Sequence, residues 1–203
     1  MPGPGKNGRY HHGNLRAALI DTAVGLIGER GLRGFSLTEA SRQLGVAVSA
    51  PYAHFTDRED LLAAVAVRAF GLLSGELVGG TAQITCPADR LAAMTRAYVH
   101  FAAAHPPLFE VLYEAGLDKE RHPEIGEAER PVTDAILACV TDVAGGRGDP
   151  DELAGAIEAT AYGHVVLLLR HSGRDAADVA AAAARATLAL VTGRHLLVPS
   201  PAS

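Results

Sequence analysis

The stretch from Phe35 to Leu62, FSLTEASRQLGVAVSAPYAHFTDREDLL, constrains this chain more than any other. It opens with Ser36-Leu37-Thr38-Glu39, a capping box in which Ser36 holds the backbone N–H of Glu39 while Glu39 reaches back. A short helix follows, with Leu37, Ala40, Ser41 and Leu44 on one face. Gly45 falls where a left-handed residue is needed to stop it. A second short helix is predicted from about Val48 to Phe55, with Pro51 in its first turn, where a missing N–H costs little. Phe55 and Val46 read as core. Thr56-Asp57-Arg58-Glu59 is another capping box, from which a longer apolar-periodic helix starts. Two short helices joined by a tight glycine turn form a helix-turn-helix, and small Ala40 and Ser41 lie where the pair must cross closely. An ordinary αα-hairpin has the same spacing, so the pattern alone leaves both readings open.

The preceding segment adds context. Asn14 is a good N-cap, Leu15, Leu19, Ala23, Leu26 and Ile27 repeat at helical spacing, and Gly31 ends the helix. Together these residues resemble the DNA-binding domain of the TetR family of one-component transcriptional repressors. The resemblance rests on Ala23 to Gly31, Ser36-Leu37, Ala40, Gly45-Val46, Tyr52-Ala53-His54-Phe55 and Asp57-Arg58-Glu59-Asp60-Leu61-Leu62, about the first third of the chain. It implies an all-α fold of about nine helices: a three-helix DNA-binding domain over 14–60, then a helical effector-binding and dimerisation domain over 61–198. The flanking segments are a flexible basic arm over 1–13 and a tail over 199–203. In this reading Tyr52 and His54 match phosphate-contacting positions. The chain departs from the family where Ala47 replaces a usual capping Ser and where Val48 and Ala53 replace common Lys or Arg.

The DNA-facing candidates follow from side-chain chemistry. Thr38, Ser49, Tyr52, His54 and Arg58, with Arg42, suit contact to the phosphate backbone, which sets register without reading sequence. Val48, Ala50 and Ala53 suit thymine methyl groups. Arg9, in the Gly/Pro-rich start beside Lys6, suits a phosphate or a minor groove. Charge distribution agrees. The chain carries a net −5, yet residues 1–56 hold six Lys/Arg against three Asp/Glu, so a mildly basic head precedes an acidic body.

The composition, with 48% apolar residues, 20% charged and no Trp, excludes wholesale disorder and favours helices. Cys86 and Cys139 lack metal-ligand spacing and read as unpaired reduced thiols. The start has no apolar core of a signal peptide, and the run Val165 to Leu169 is too short to span a bilayer, so a soluble cytoplasmic protein with no membrane contact is expected.

Beyond Leu62 the pattern stays helical. The helix begun at Asp57 runs to about Leu77 on Leu61, Leu62, Val65, Phe70, Leu73 and Leu77. In the family it connects head to body. A fifth helix from Pro87 carries Ala88, Leu91, Met94, Tyr98 and Phe101. A short sixth spans Leu108 to Glu114. Tyr98 to Phe101 and His105 to Phe109 resemble the TetR subgroup named for a Trp-His-Gly signature, although Ala159 and Gly163-His164 stand where that signature would fall. Leu117 to Arg130, broken by Pro123 and Pro131, reads as a loop and a helix start, with a seventh helix continuing to about Val143. AGGRGDP over 144–150 is a loop. The eighth helix and a ninth, from Asp178 to Leu197, are apolar on more than one face, which implies a homodimer through these last two helices.

An apolar cavity with a few polar tips is the usual small-molecule site. Tyr98, Phe101, Phe109, Tyr113, Tyr162 and His164 are the candidate effector contacts, although an aromatic stripe at helical spacing is more often plain core. No phosphate loop, nucleophile elbow or HExxH motif is present, so neither an enzyme nor a cofactor is expected. His100, His105, Glu110 and Glu114 lack convincing metal spacing, apart from the Glu110–Glu114 pair. The resemblance implies a repressor released from a palindromic double-stranded operator by a small apolar effector. A helical dimeric binding module with lost DNA binding is the alternative.

Overall fold

The structure is a computed structural model that describes residues 15–145, 149–171 and 173–197. Arg9, the basic arm, the proposed cap Asn14 and the tail 199–203 lie outside these residues. Among them the chain forms eight α-helices and no strand: α1 Leu15–Arg30, α2 Leu37–Leu44, α3 Arg58–Ser74, α4 Pro87–Ala104, α5 Pro106–Glu114, α6 Pro123–Ala144, α7 Pro150–Arg170 and α8 Ala176–Thr192.

The apolar stripes place these helices. On α1, Leu19, Ala23, Leu26 and Ile27 are buried with Ile20, and on α3 Leu61, Leu62, Val65, Phe70 and Leu73 are buried, as is Leu77 beyond it. Helix α3 does not stop at Ser74. It widens into one π-helical turn, Gly75–Gly79, so the segment from Arg58 to Gly79 forms one continuous rod. Helix α4 packs most extensively against α8. The buried residues Ala180, Ala183 and Ala184 of α8 are small enough to let the two axes approach closely. At their crossing the buried hydroxyls of Thr95 and Thr187 lie 2.9 Å apart and share a hydrogen bond.

Three sequence expectations are corrected. Helix α6 runs unbroken through Pro131, where a loop and helix start were expected. Pro131 removes one hydrogen bond, to the carbonyl of Glu127, but sits on the exposed face of the helix, where the loss is tolerated. Pro123 takes the first helical position of α6 instead of lying in a loop, whereas Pro106, as expected, ends the preceding helix and starts α5. The final helix ends at Thr192, followed by a 3₁₀ turn over Arg194–Leu196.

Among the described residues, two helices are long and apolar enough to cross a membrane by length and composition, Arg58–Gly79 with mean hydropathy 1.8 and Pro150–Arg170 with 1.2. In the first, packing accounts for the apolarity, since 56% of that window is buried. In α7 only 22% is buried, which leaves Leu167 and Leu169 at 45% and 44% exposure.

Candidate nucleic-acid surface and body cavity

Helix α2 is fixed at both ends by the residues that its sequence singled out. Ser36, in extended backbone, accepts a hydrogen bond from the Glu39 N–H at 3.2 Å. The reciprocal half of the box is not made: the Glu39 carboxylate bridges Arg30 at 3.0 Å and Arg42 at 3.6 Å instead. At the other end Gly45 adopts φ 67°. Its N–H bonds to the Arg42 carbonyl and the Val46 N–H to the Ser41 carbonyl, both at 3.1 Å, the paired bonds of a Schellman stop. Ser41, fully buried, donates to the Leu37 carbonyl and exposes no polar group to the crossing.

The second element of the motif differs from expectation. Where an α-helix from Val48 to Phe55 was predicted, the chain forms turns around a 3₁₀ helix over Ala50–Ala53. Pro51 has no N–H to bond the Ala47 carbonyl, which the Ala50 N–H takes at 2.9 Å. Ser49 makes no side-chain cap. Pro51 and Phe55 are buried and anchor the element, while Val46 is half-buried. Val48 and Tyr52, one turn apart, are 49% and 55% exposed. With exposed Ser49, Ala53 and His54 they form one outward face, and Arg42 stands exposed at the end of α2. Thr38 and Ala50 are half-buried.

Arg58 has a structural role that the sequence did not reveal. Its guanidinium donates to the carbonyls of Leu32 and Phe35 and lies over the Phe35 ring, 5.6 Å from its centre, tying the start of α3 to the entry of α2. The cap of α3 is shifted by one residue from the expected box. Asp57, not Thr56, accepts from the Asp60 N–H at 3.0 Å, and Asp60 accepts from the Thr56 N–H at 2.7 Å.

This cap is also where the body grips the head. Arg121, in the turn before α6, donates to the carboxylates of Asp57 and Glu59. The hydrogen bond from Arg121 holds the Asp57 carboxyl below its ordinary value, and the bond from Thr56 does the same for Asp60. His122, 4% exposed, places Nε2 3.7 Å from Glu59 and 3.9 Å from Asp60. A second link lies on the opposite side, where Glu110 of α5 accepts from the Leu32 N–H at 3.1 Å. These long-range partners have no signal in local spacing.

In the body, a cavity of about 340 Å³ opens between α3, α4, α6 and α7. Its apolar wall is Phe70, Leu73, Leu77, Leu91, Met94, Ile157 and their neighbours. Of the six expected effector contacts, Tyr98 and Tyr113 line it. Phe109 and Tyr162 join those two in one aromatic cluster, with ring centres 4.6 to 6.2 Å apart, but do not reach the cavity. Phe101 is fully buried against His105, and His164 hydrogen-bonds the Thr160 carbonyl of its own helix at 2.8 Å. Those four are core or framework residues. Tyr98 is 8% exposed, and its hydroxyl has no hydrogen-bond partner. Desolvation drives its pKa far up, and the neighbouring Tyr113 adds to this. Tyr113, although 37% exposed overall, is crowded enough that desolvation pushes its phenol up to about 12. Cys86 is exposed and Cys139 buried, both unpaired, and burial raises the Cys139 thiol. No cluster of three metal-ligating side chains occurs among the described residues.

A helix-turn-helix head joined by one long helix to a hollow helical body defines a one-component regulator fold. The model described as bacterial regulatory proteins, tetR family, matches residues 19–65, and the tetracyclin repressor-like C-terminal domain matches residues 91–191. The chain belongs to the tetR family of transcriptional regulators. The HTH-type transcriptional regulator BetI of Rhizobium meliloti (strain 1021) is 30% identical over 81 residues, a match that spans 40% of each chain. A protein of unknown function from Rhodococcus sp. RHA1 superposes with a TM-score of 0.75 at 30% identity, covering 90% of this chain and 97% of its own. AibR in complex with isovaleryl coenzyme A and operator DNA shares the fold at 20% identity and a TM-score of 0.67, over 86% of this chain and 96% of that one.

Proposed function

We propose that the chain is a homodimeric, ligand-responsive repressor in which occupancy of the body cavity controls the spacing of two DNA-binding heads. One observation carries the reading: helix α3 begins in the helix-turn-helix and its far half lines the cavity with Phe70, Leu73 and Leu77. A ligand that needs a different tilt of α3 therefore moves the outward face of the 3₁₀ element, because Arg58 and Asp57 lock that element's surroundings to the start of the same helix. Such coupling requires the ligand to bind the two arrangements unequally.

In this reading the head comprises residues 14–60 and the body 61–198. Ser49, Tyr52 and His54, with Thr38 and Arg42, hold phosphates, and Val48, Ala50 and Ala53 contact base edges. Arg58 supports the head from behind. The exposed Leu167 and Leu169 on α7, and the apolar remainder of α8, supply the dimer face. A soluble cytoplasmic regulator fits all of these parts.

The test is to fill the cavity without a ligand. Ala161 lines it and is buried, and a Phe side chain adds far less volume than the 340 Å³ available. Ala161→Phe is expected to keep a cooperative melt while weakening binding to the protein's own upstream DNA at least about ten-fold, a loss of about 1.4 kcal/mol. A folded variant that binds DNA like the wild type would remove the proposed coupling.

A further inference from the structure

We propose that the operator is read through the 5-methyl groups of thymine, with Val48 as the residue that sets specificity, and not through hydrogen bonds to guanine. This deepens the DNA-binding reading above and rests on it, since it fixes which bases the outward face of the 3₁₀ element selects.

The side chains that read base edges by directed hydrogen bonds are Arg and Lys on guanine, Asn and Gln on adenine, and Asp or Glu on cytosine. From Leu44 to Thr56, which takes in the turn and the whole second element of the motif, the chain contains none of these. The element exposes Ala47, Val48, Ser49, Tyr52, Ala53 and His54 instead. Val48 is 49% exposed, an apolar side chain held outward while Pro51 and Phe55 make the element's core contacts.

The polar members of this face have other uses. His54 lies at its flank, lining a groove with Arg16 and Arg121, which suits a phosphate. A serine hydroxyl both donates and accepts, so Ser49 does not distinguish one base from another. Arg42 and Gln43 are exposed but belong to the end of α2, and the first helix of such a motif crosses the backbone while the second element enters the groove. Val48 and Ala53, with half-buried Ala50, are left to face the bases.

An apolar side chain in the major groove has one favourable partner there, the thymine methyl. Opposite cytosine it meets only a hydrogen at the same ring position. Beside guanine it covers the O6 and N7 acceptors without offering a donor, which selects against that base. One methyl contact changes binding about four-fold, and a dimer presents it twice, so about ten-fold discrimination is expected.

The test is equilibrium binding of the full chain, by mobility shift at one fixed salt concentration, to its own upstream DNA amplified in three forms. One contains thymine, one has uracil in place of every thymine, and one has 7-deazaguanine in place of every guanine. Uracil lacks only the 5-methyl group and 7-deazaguanine only the N7 acceptor, so both keep Watson–Crick pairing. Uracil DNA is expected to bind at least about ten-fold more weakly than the thymine form, and 7-deazaguanine DNA within about two-fold of it. Val48→Ser, an exposed substitution that should leave the melting temperature in place, is expected to bind thymine DNA about ten-fold more weakly and to lose most of the uracil penalty. A purely structural role for Val48 would weaken both forms equally. Specific binding that uracil leaves unchanged, a larger loss from 7-deazaguanine than from uracil, or a full uracil penalty in Val48→Ser would each overturn the inference and leave the repressor reading intact. Binding no tighter than to random DNA in all three forms would overturn both.

Discussion

Replacing Tyr98 with Phe removes one atom, the hydroxyl that has no partner, and retains the ring. The edge contacts to Phe109 and Tyr113, with ring centres at 5.8 and 6.2 Å, are kept. What changes is desolvation. A buried hydroxyl with no partner costs about 1–3 kcal/mol, and the adjacent Tyr113 hydroxyl offsets part of this, so the variant should gain about 1 kcal/mol. For a chain of this length that corresponds to a rise of about 2–4 °C in melting temperature, read at fixed protein concentration by circular dichroism. Tyr113→Phe is the control, because that hydroxyl lies in a half-open position and its removal should shift the melt little. A fall of 2 °C or more for Tyr98→Phe would refute the reasoning, since it would mean that the hydroxyl is satisfied in the resting protein.

Other substitutions probe the head and its attachment. Gly45→Ala forces a side chain into φ 67° with open space around it, so backbone strain alone should cost about 1 kcal/mol, and Gly45→Asn clearly less, by chemical denaturation. Arg121→Ala removes the clasp on Asp57 and Glu59, and its loss at neutral pH should be small because the pairs are exposed and screened by solvent. A depressed carboxyl stabilises the fold above its ordinary value of 3.8, and that stability is lost as pH falls through its lower folded value. The difference between wild type and Arg121→Ala should therefore shrink below about pH 4, whereas a constant difference would rule out Asp57 as the partner that matters. Leu167→Glu with Leu169→Glu should convert the proposed dimer to monomer in sedimentation velocity without loss of helix content; an unchanged dimer would place the interface elsewhere.

The parts visible in the sequence are those set by local physics. Periodicity found the buried stripes of α1, α3 and α4, and Gly45 marked its turn because only a left-handed stop fits there. The misses arise where two local solutions compete or where partners are distant. Thr56 and Asp57 are both good caps, and only packing of Arg121 on Asp57 decides between them. Pro51 permits either an α or a 3₁₀ turn, and the sequence does not choose between them. Pro131 reads as a breaker until its exposed position is known. Among the aromatic residues, helical spacing placed Tyr98 and Tyr113 on the inner side but cannot tell which inward faces meet at a void and which meet each other.

The measurement that bears most directly on the regulator is equilibrium binding of the purified chain to its own upstream DNA across a range of salt, beside a Tyr52→Ala, His54→Ala double variant. DNA reading through the exposed face of the 3₁₀ element predicts binding that is far tighter than to random DNA, falls steeply with salt and is lost in the double variant. Binding to the upstream region that equals binding to random DNA at every salt concentration, or a double variant as tight as the wild type, would contradict it and leave a ligand-binding dimer whose head is silent.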